Sequence, residues 1–359
     1  MVGNGATAVD STGGRYINRH TGAFLTSLAE CGFRVVFLQP RAVYRENENL
    51  HDFALSEEAV ESVAIDTSGR QKLLRTVALA LWQVVTADLV YIFYPGTLPQ
   101  AIGRLCSAIG KPFGLYLRGE QFSTGRSGLQ VLREAEFIVT VSSTLAKAAF
   151  PLSGRVIPIR PMLDISPDDV LRRDFANRGK GPWQVLFVGR LEESKGVLDL
   201  IDAALILESR GWPFSLTLVG GGPLYENLAS QYGDTVGASI RVSGQIADKK
   251  QLMLAYGAAD FLVLPSHHEG FPRVLYEAMI KSAVILCTMV GGIPGLMHDG
   301  ENCIAIPSRN GPAIADALEL ISACPERMQR LADNGLTTVL NVLATYPSHL
   351  DAVKEELSA

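Results

Sequence analysis

Apolar runs of four to six residues alternate with amphipathic stretches along most of the chain, a pattern that predicts repeated strand–helix units. In the first half, residues 33–38, 89–94, 113–117 and 137–141 read as buried parallel strands, with helical periodicity between several of them, as over 71–85 and 99–108. In the second half the strand-like runs are 185–188, 215–219, 240–242, 261–264 and 284–287. Alternation of this kind builds doubly wound sheets with helices on both faces. The segment 161–182, rich in Asp, Arg, Pro and Gly, reads as a connection between two such units. We therefore expect Rossmann-like domains over 1–165 and 166–340, with 341–359 as a closing helix; 328–357 is helix-compatible as one stretch.

Chemistry concentrates where strands run out. After the run 261–264 come Pro265 and Ser266, then Glu269-Gly270-Phe271-Pro272-Arg273-Val274-Leu275-Tyr276-Glu277. This order predicts a strand, a polar loop and a helix with Pro272 at its first position, the place where parallel α/β sheets bind ligands. Glu269 lies on the loop and Glu277 inside the helix, so one carboxylate can meet the outer part of a ligand and the other a diol deeper in. A helix-start acid followed by a solvated Glu is the alternative. Upstream, the strand from Trp183 breaks at Gly189, and Arg190 and Lys195 flank the turn into the next helix. Two cations beside a turn with exposed amides suit a diphosphate; equally, they could balance Glu192 and Glu193.

Val188-Gly189-Arg190-Leu191, Lys195-Gly196, Val219-Gly220-Gly221-Gly222-Pro223, Glu269-Gly270-Phe271-Pro272, Glu277-Ala278-Met279 and Gly291-Gly292-Ile293-Pro294 follow one another in that order. Over residues 183–310 this resembles the donor half of the retaining, metal-independent glycosyltransferases of family four. The resemblance implies an α/β chain of two facing Rossmann-like doubly wound parallel-sheet domains, the glycosyltransferase-B fold. It implies a nucleotide-sugar donor and no cofactor or metal. Glu269, Arg190 and Lys195 would act in catalysis, the two cations on the diphosphate. Glu277 would take the ribose hydroxyls. Gly270, Phe271, Arg273, Val274 and Gly244 would complete the donor site, with Gly13 and Gly14 approaching from the first domain. Arg118 and Glu120, after the strand 113–117, would face the acceptor. The chain departs from the family pattern at Gly295, where Glu is common, at Ser282 and Val284, where Gly and Pro often stand, and at Cys303, where Gly is usual.

A 47% hydrophobic fraction over 359 residues supports two cores and excludes a disordered chain. The formal charge of -5 argues against nucleic acid as a partner. Cys31, Cys106, Cys287, Cys303 and Cys324 are scattered among apolar residues, which predicts buried free thiols in a reducing compartment. His267-His268 lacks the partners of a metal cluster. No apolar run reaches the roughly 20 residues that span a bilayer, and Met1–Gly5 lacks a signal-peptide pattern, so a cytoplasmic protein is expected. Residues 70–160 nevertheless carry eleven Lys and Arg against four acids. That surplus suggests peripheral contact with an anionic membrane and a saccharide or lipid-linked saccharide acceptor. At the start, 6–9 is a thin candidate for the first strand, either short or begun late, with 11–15 as a Gly-rich loop into a helix. A non-catalytic nucleotide-sugar-binding subunit and an epimerase on the same fold stay open. A hydride-transferring enzyme fits less well, because Gly220-Gly221-Gly222-Pro223 lacks the dinucleotide spacing.

Overall fold

In a computed structural model of the protein, residues 1–44, 53–117, 125–141, 143–160, 163, 165–233, 239–270 and 272–358 are described, excepting the side chains of 126–127 and 143–145. The chain forms two compact units, Met1–Met162 with Tyr346–Ala359, and Leu163–Thr345. The first contains β1 (Thr7–Val9), β2 (Arg15–Ile17), α1 (Arg19–Glu30), β3 (Val35–Val43), β4 (Phe53–Ala54), β5 (Val60–Ile65), α2 (Arg70–Thr86), β6 (Val90–Tyr94), α3 (Thr97–Ile109), β7 (Phe113–Leu117), α4 (Arg126–Glu134), β8 (Phe137–Thr140), α5 (Ser143–Ala149) and β9 (Val156–Pro158). The second contains β10 (Trp183–Val188), α6 (Val197–Ser209), β11 (Phe214–Val219), α7 (Tyr225–Tyr232), β12 (Ile240–Gly244), α8 (Lys249–Ala258), β13 (Phe261–Leu264), α9 (Val274–Ile280), β14 (Val284–Cys287), β15 (Ile304–Ala305), α10 (Gly311–Ser322) and α11 (Pro325–Thr345). The chain then returns to the first unit as α12 (His349–Ser358).

The second unit is a six-stranded sheet in the order β12-β11-β10-β13-β14-β15, parallel at every pairing. Alternate residues of its central strands enter opposite cores, as side chains on a strand must. Val185, Phe187, Phe261, Val263, Val284 and Leu286 pack on one face, and Leu186, Leu262, Leu264, Ile285 and Cys287 on the other. Ile165 already packs in this unit, and Leu336, Val339 and Leu343 of α11 stay with it, which moves both unit boundaries a few residues from 165 and 340. The connecting segment is pinned at the start of β13. Asp260 Oδ2 accepts from Arg178 Nη2 at 2.7 Å and from the Gln184 N–H at 2.9 Å, and Arg178 lies over the Trp183 ring.

The first unit differs from expectation at its beginning. Residues 6–9 do yield β1, but it pairs antiparallel with β2 and parallel with the far end of β3, at Arg41–Val43. The slot between β3 and β6 is filled by Val2, which bridges Leu38 on one side and Ile92 on the other. Read across, β5, β3, Val2, β6, β7, β8 and β9 give the same doubly wound order as the second unit. Residues 11–14 are therefore the turn of a hairpin, and β2 stands between that turn and α1. The single helix expected over 328–357 is broken at Tyr346-Pro347-Ser348, since a proline cannot continue the ladder. Beyond the break, the His349 ring stacks on Phe24 of α1 with centroids 4.0 Å apart, and its Nε2 meets the Tyr91 hydroxyl at 2.7 Å. Arg155 and Glu356 pair at 2.7 Å. Of the cysteines, Cys106, Cys287 and Cys303 are buried, but Cys31 and Cys324 are exposed, because the helix ends where they lie leave their surroundings open.

Candidate functional site

At the carboxyl ends of β10 and β13 two loops of the second unit are tied together. The His267 N–H donates to the Ser194 carbonyl at 2.9 Å, and His267 Nε2 lies 2.6 Å from Asp199 Oδ2 in the first turn of α6. Gly196 turns at φ +67°, and a Cβ there would sit 2.1 Å from the Pro265 carbonyl oxygen. Only a residue without a side chain lets the two loops approach this closely.

That approach sets Lys195 Nζ 2.7 Å from Glu269 Oε1. Ser266 Oγ donates to the same oxygen at 2.9 Å, and its own carbonyl accepts from Thr288 Oγ1 at 2.6 Å. Both bonds fall on Oε1, leaving Oε2 of this nearly buried carboxylate without a bond among the described residues. Arg190 is half exposed, and its Nε lies 3.0 Å from Glu192 Oε2. The two cations thus sit in ion pairs, Arg190 as the charge-balancing alternative would have it and Lys195 with the first of the paired glutamates. The turn offers fewer amides than expected. Those of Lys195 and Gly196 are used within a short 3-10 helix, that of Glu192 reaches the Arg190 carbonyl, and that of Leu191 the Gly221 carbonyl after β11.

Glu277 projects from α9, and its Oε2 accepts from the Tyr256 hydroxyl of α8 at 2.6 Å. Tyr256 is fully buried; burial first, and the Glu277 charge second, push its hydroxyl well above the usual tyrosine range. It stays a neutral donor and fixes the carboxylate's rotamer. The helix begins at Val274 with Arg273 as its cap, so Pro272 lies just outside it and not at its first position; the Leu275 N–H reaches back to the Pro272 carbonyl at 3.4 Å. Gly270 accepts from the Gly292 N–H at 3.1 Å. Gly244 ends β12, and its carbonyl accepts from the Gly220 N–H at 2.8 Å.

Arg190, Lys195, Gly244, Glu269, Gly270, Arg273, Val274 and Glu277 thus all lie on the second unit, on β12 or past the ends of β10 and β13. Gly13 and Gly14 belong to the first unit, in the hairpin turn closed by Asp10, whose Oδ1 accepts from the N–H groups of Thr12 and Gly14, each at 2.8 Å. Phe271, Arg118 and Glu120 lie outside the described residues. Sequence reading missed Tyr256, which is 21 residues from its partner and carries no local signal. It also missed the support from Ser266, His267 and Asp199, although Ser266 and His267 stand next to the Glu269 motif and His267 was weighed only as a metal ligand. His267 is held by Asp199, and among the described residues no group of three or more His, Cys, Asp or Glu side chains forms a metal-holding cluster.

Residues 171–338 match the family model described as glycosyl transferases group 1. An alpha-D-kanosaminyltransferase of Streptomyces kanamyceticus is 31% identical over 152 residues, 42% of this chain and 39% of that protein. The chain spans about half the length, or less, of the first curated relatives it matches. Sucrose-phosphate synthase from Thermosynechococcus elongatus superposes with a TM-score of 0.65 at 20% identity, over 99% of this chain and 96% of that one. Anabaena Alr3699/HepE, solved in complex with UDP, gives 0.63 at 19% identity over 99% of both chains. The two units have the glycosyltransferase-B fold, and residues 171–338 carry the similarity to the group 1 glycosyl transferases.

Proposed function

We propose that the protein is a retaining, metal-independent glycosyltransferase that moves a hexosyl group from a nucleoside diphosphate sugar to a hydroxyl of a saccharide or lipid-linked saccharide, in polysaccharide or glycolipid synthesis. The observation that carries this reading is the Lys195–Glu269 pair beside Arg190 at the carboxyl edge of β10 and β13, with Glu277 held by Tyr256 on the next helix. The group 1 match supports it, as does the UDP complex of the Anabaena neighbour.

In this reading the acceptor oxygen bonds to the anomeric carbon as the bond to the leaving phosphate breaks, and the acceptor proton passes to the leaving diphosphate. Charge grows on that diphosphate, where Arg190 and Lys195 would meet it. The amides of Arg273 and Val274 would add to them, although a seven-residue helix has little dipole to contribute. Gly244 and Gly270 would let the backbone come close to the donor. Glu269 would orient the sugar through Oε2, and Glu277 would accept from the ribose hydroxyls. A lipid-linked acceptor would be met at a membrane surface, at its inner face for a cytoplasmic enzyme.

A thermal-shift panel of nucleoside diphosphates and nucleotide sugars identifies the donor, since a ligand at a hundredfold excess over its dissociation constant stabilises by about 2.7 kcal/mol. Calorimetry with the best nucleoside diphosphate then separates the glutamates. Glu277→Gln is expected to weaken the bare nucleotide, and Glu269→Gln to leave it nearly unchanged while depressing transfer. Equal nucleotide affinities in wild type and Glu277→Gln would remove the ribose role.

A further inference from the structure

Helix α2 carries apolar residues on more than one side, yet only one side of it is covered. Ala80 and Val84 pack into the first unit's core. Trp82 is 65% exposed, Leu74 63%, Val85 54%, Leu79 45% and Leu81 40%. At about 100° per residue, Leu81, Leu74, Val85, Ala78 and Trp82 fall within one arc of about 100°, and Val84 and Ala80 lie outside it, about 60° and 100° beyond Leu81. The stripe from Leu74 to Val85 is about 16 Å long. Single exposed apolar residues need no explanation; a continuous stripe ending in a tryptophan does.

The charges on the helix itself are of one sign. Arg70, Lys72 and Arg75 are exposed in the first turns, and α2 contains no acidic residue in a chain whose formal charge is -5. At the other end Lys111 Nζ caps the Ala87 carbonyl at 2.7 Å. Asp88 is the exposed acid beyond the helix, and Glu61 alongside it is engaged by Arg34 at 2.9 Å and Gln83 at 2.8 Å. A second copy of the chain seated on this face would bring its own three cations with no acid on the helix to answer them. An anionic lipid surface supplies phosphates for the cations and acyl chains for the stripe, and suits the amphipathic ring of Trp82.

We infer that α2 is a membrane-docking helix, lying in the interface of an anionic bilayer through Leu74, Ala78, Leu81, Trp82 and Val85 and held there by Arg70, Lys72 and Arg75. The assignment stands apart from the site on the second unit, so transfer to a soluble acceptor is unaffected by changes in α2.

The full chain is sedimented with vesicles of phosphatidylcholine alone and of phosphatidylcholine with phosphatidylglycerol, at low and high salt. Wild type is expected to bind only the anionic vesicles, with salt weakening it. Leu74→Ser/Trp82→Ser should bind at least about ten-fold more weakly, and each of Arg70, Lys72 and Arg75 changed to Ser should cost about five-fold. The tryptophan emission of wild type should shift to the blue on binding, and that of Trp82→Phe, which keeps Trp183 and Trp212, should not. Unchanged far-UV circular dichroism and melting establish that the variants fold. Absence of binding to anionic vesicles, binding unmoved by the variants, or a concentration-dependent dimer abolished by Leu74→Ser/Trp82→Ser would each overturn the assignment, the last in favour of a second copy.

Discussion

Ser282 shows how one residue departs from a family pattern at a local cost. It follows α9 at φ +52°, in the left-handed region, where glycine is often found in the relatives this stretch resembles. It is almost fully buried, and its Oγ has no hydrogen-bond partner among the described residues. A side chain in this conformation costs about 1–2 kcal/mol and a buried orphan hydroxyl about 1–3, against about 0.4–1 gained by restricting the unfolded chain. Ser282→Gly is therefore expected to raise unfolding free energy by about 1 kcal/mol in urea denaturation; a loss of stability would mean the hydroxyl has a role that its geometry does not reveal. Lys195 is the other residue whose surroundings decide the outcome. Its ion pair with Glu269 is largely shielded, so Lys195→Ala leaves a carboxylate without its cation. Measured as donor kcat/KM, Lys195→Ala and Arg190→Ala should each lose about 2–3 kcal/mol of transition-state stabilisation. If Lys195 serves Glu269 alone, the loss should vanish in a Glu269→Gln background; persistence of most of it marks a contact with the diphosphate.

Among the elements, those read to their exact ends were strands buried along their whole length. The runs 113–117, 261–264 and 284–287 coincide with β7, β13 and β14, because nothing polar interrupts them. β5 escaped notice, since Glu61 and Ser62 break its apolar run and only half of it is covered. β1 and β2 are three residues each, held by pairing with each other, with β3 and β4 on their outer sides, and by the Asp10 turn more than by any pattern of their own. The site divides in the same way. Residues on loops directly after a strand were readable, while Tyr256 reaches Glu277 from another helix, a meeting that only the fold creates. The loop after β14 is the element on which Glu269 depends. Gly291 turns at φ +56°, and a Cβ there would sit 1.6 Å from the Glu269 carbonyl oxygen. Gly291→Ala must push that backbone aside. It should destabilise the second unit by more than about 1–3 kcal/mol and weaken transfer more than nucleotide binding, since Glu277 sits on a different element. Wild-type kinetics in a folded Gly291→Ala would detach Glu269 from the chemistry.

On the scale of the whole molecule, the two units carry separate reporters. Trp183 and Trp212 stack near the edge of the second unit's core, 6.4 Å between ring centroids, and Trp82 is the only tryptophan of the first unit. Trp82→Phe therefore leaves tryptophan emission that reads the second unit alone. His349, by contrast, belongs to the first core, stacked on Phe24 and bonded to Tyr91, although it lies near the end of the chain. Replacing a buried, stacked and hydrogen-bonded ring by alanine costs about 3 kcal/mol. In the Trp82→Phe background, His349→Ala is expected to lower the transition seen by circular dichroism and to shift the tryptophan transition less, because Phe24 and Tyr91, on which the ring is stacked and bonded, belong to the first unit. A saturating nucleoside diphosphate should do the opposite, raising the tryptophan transition, since every donor contact proposed on a described helix, strand end or loop of the second unit lies within the body those rings report. If the nucleotide stabilised only the transition that His349→Ala lowers, its site would lie on the first unit and the donor assignment on the second would fail.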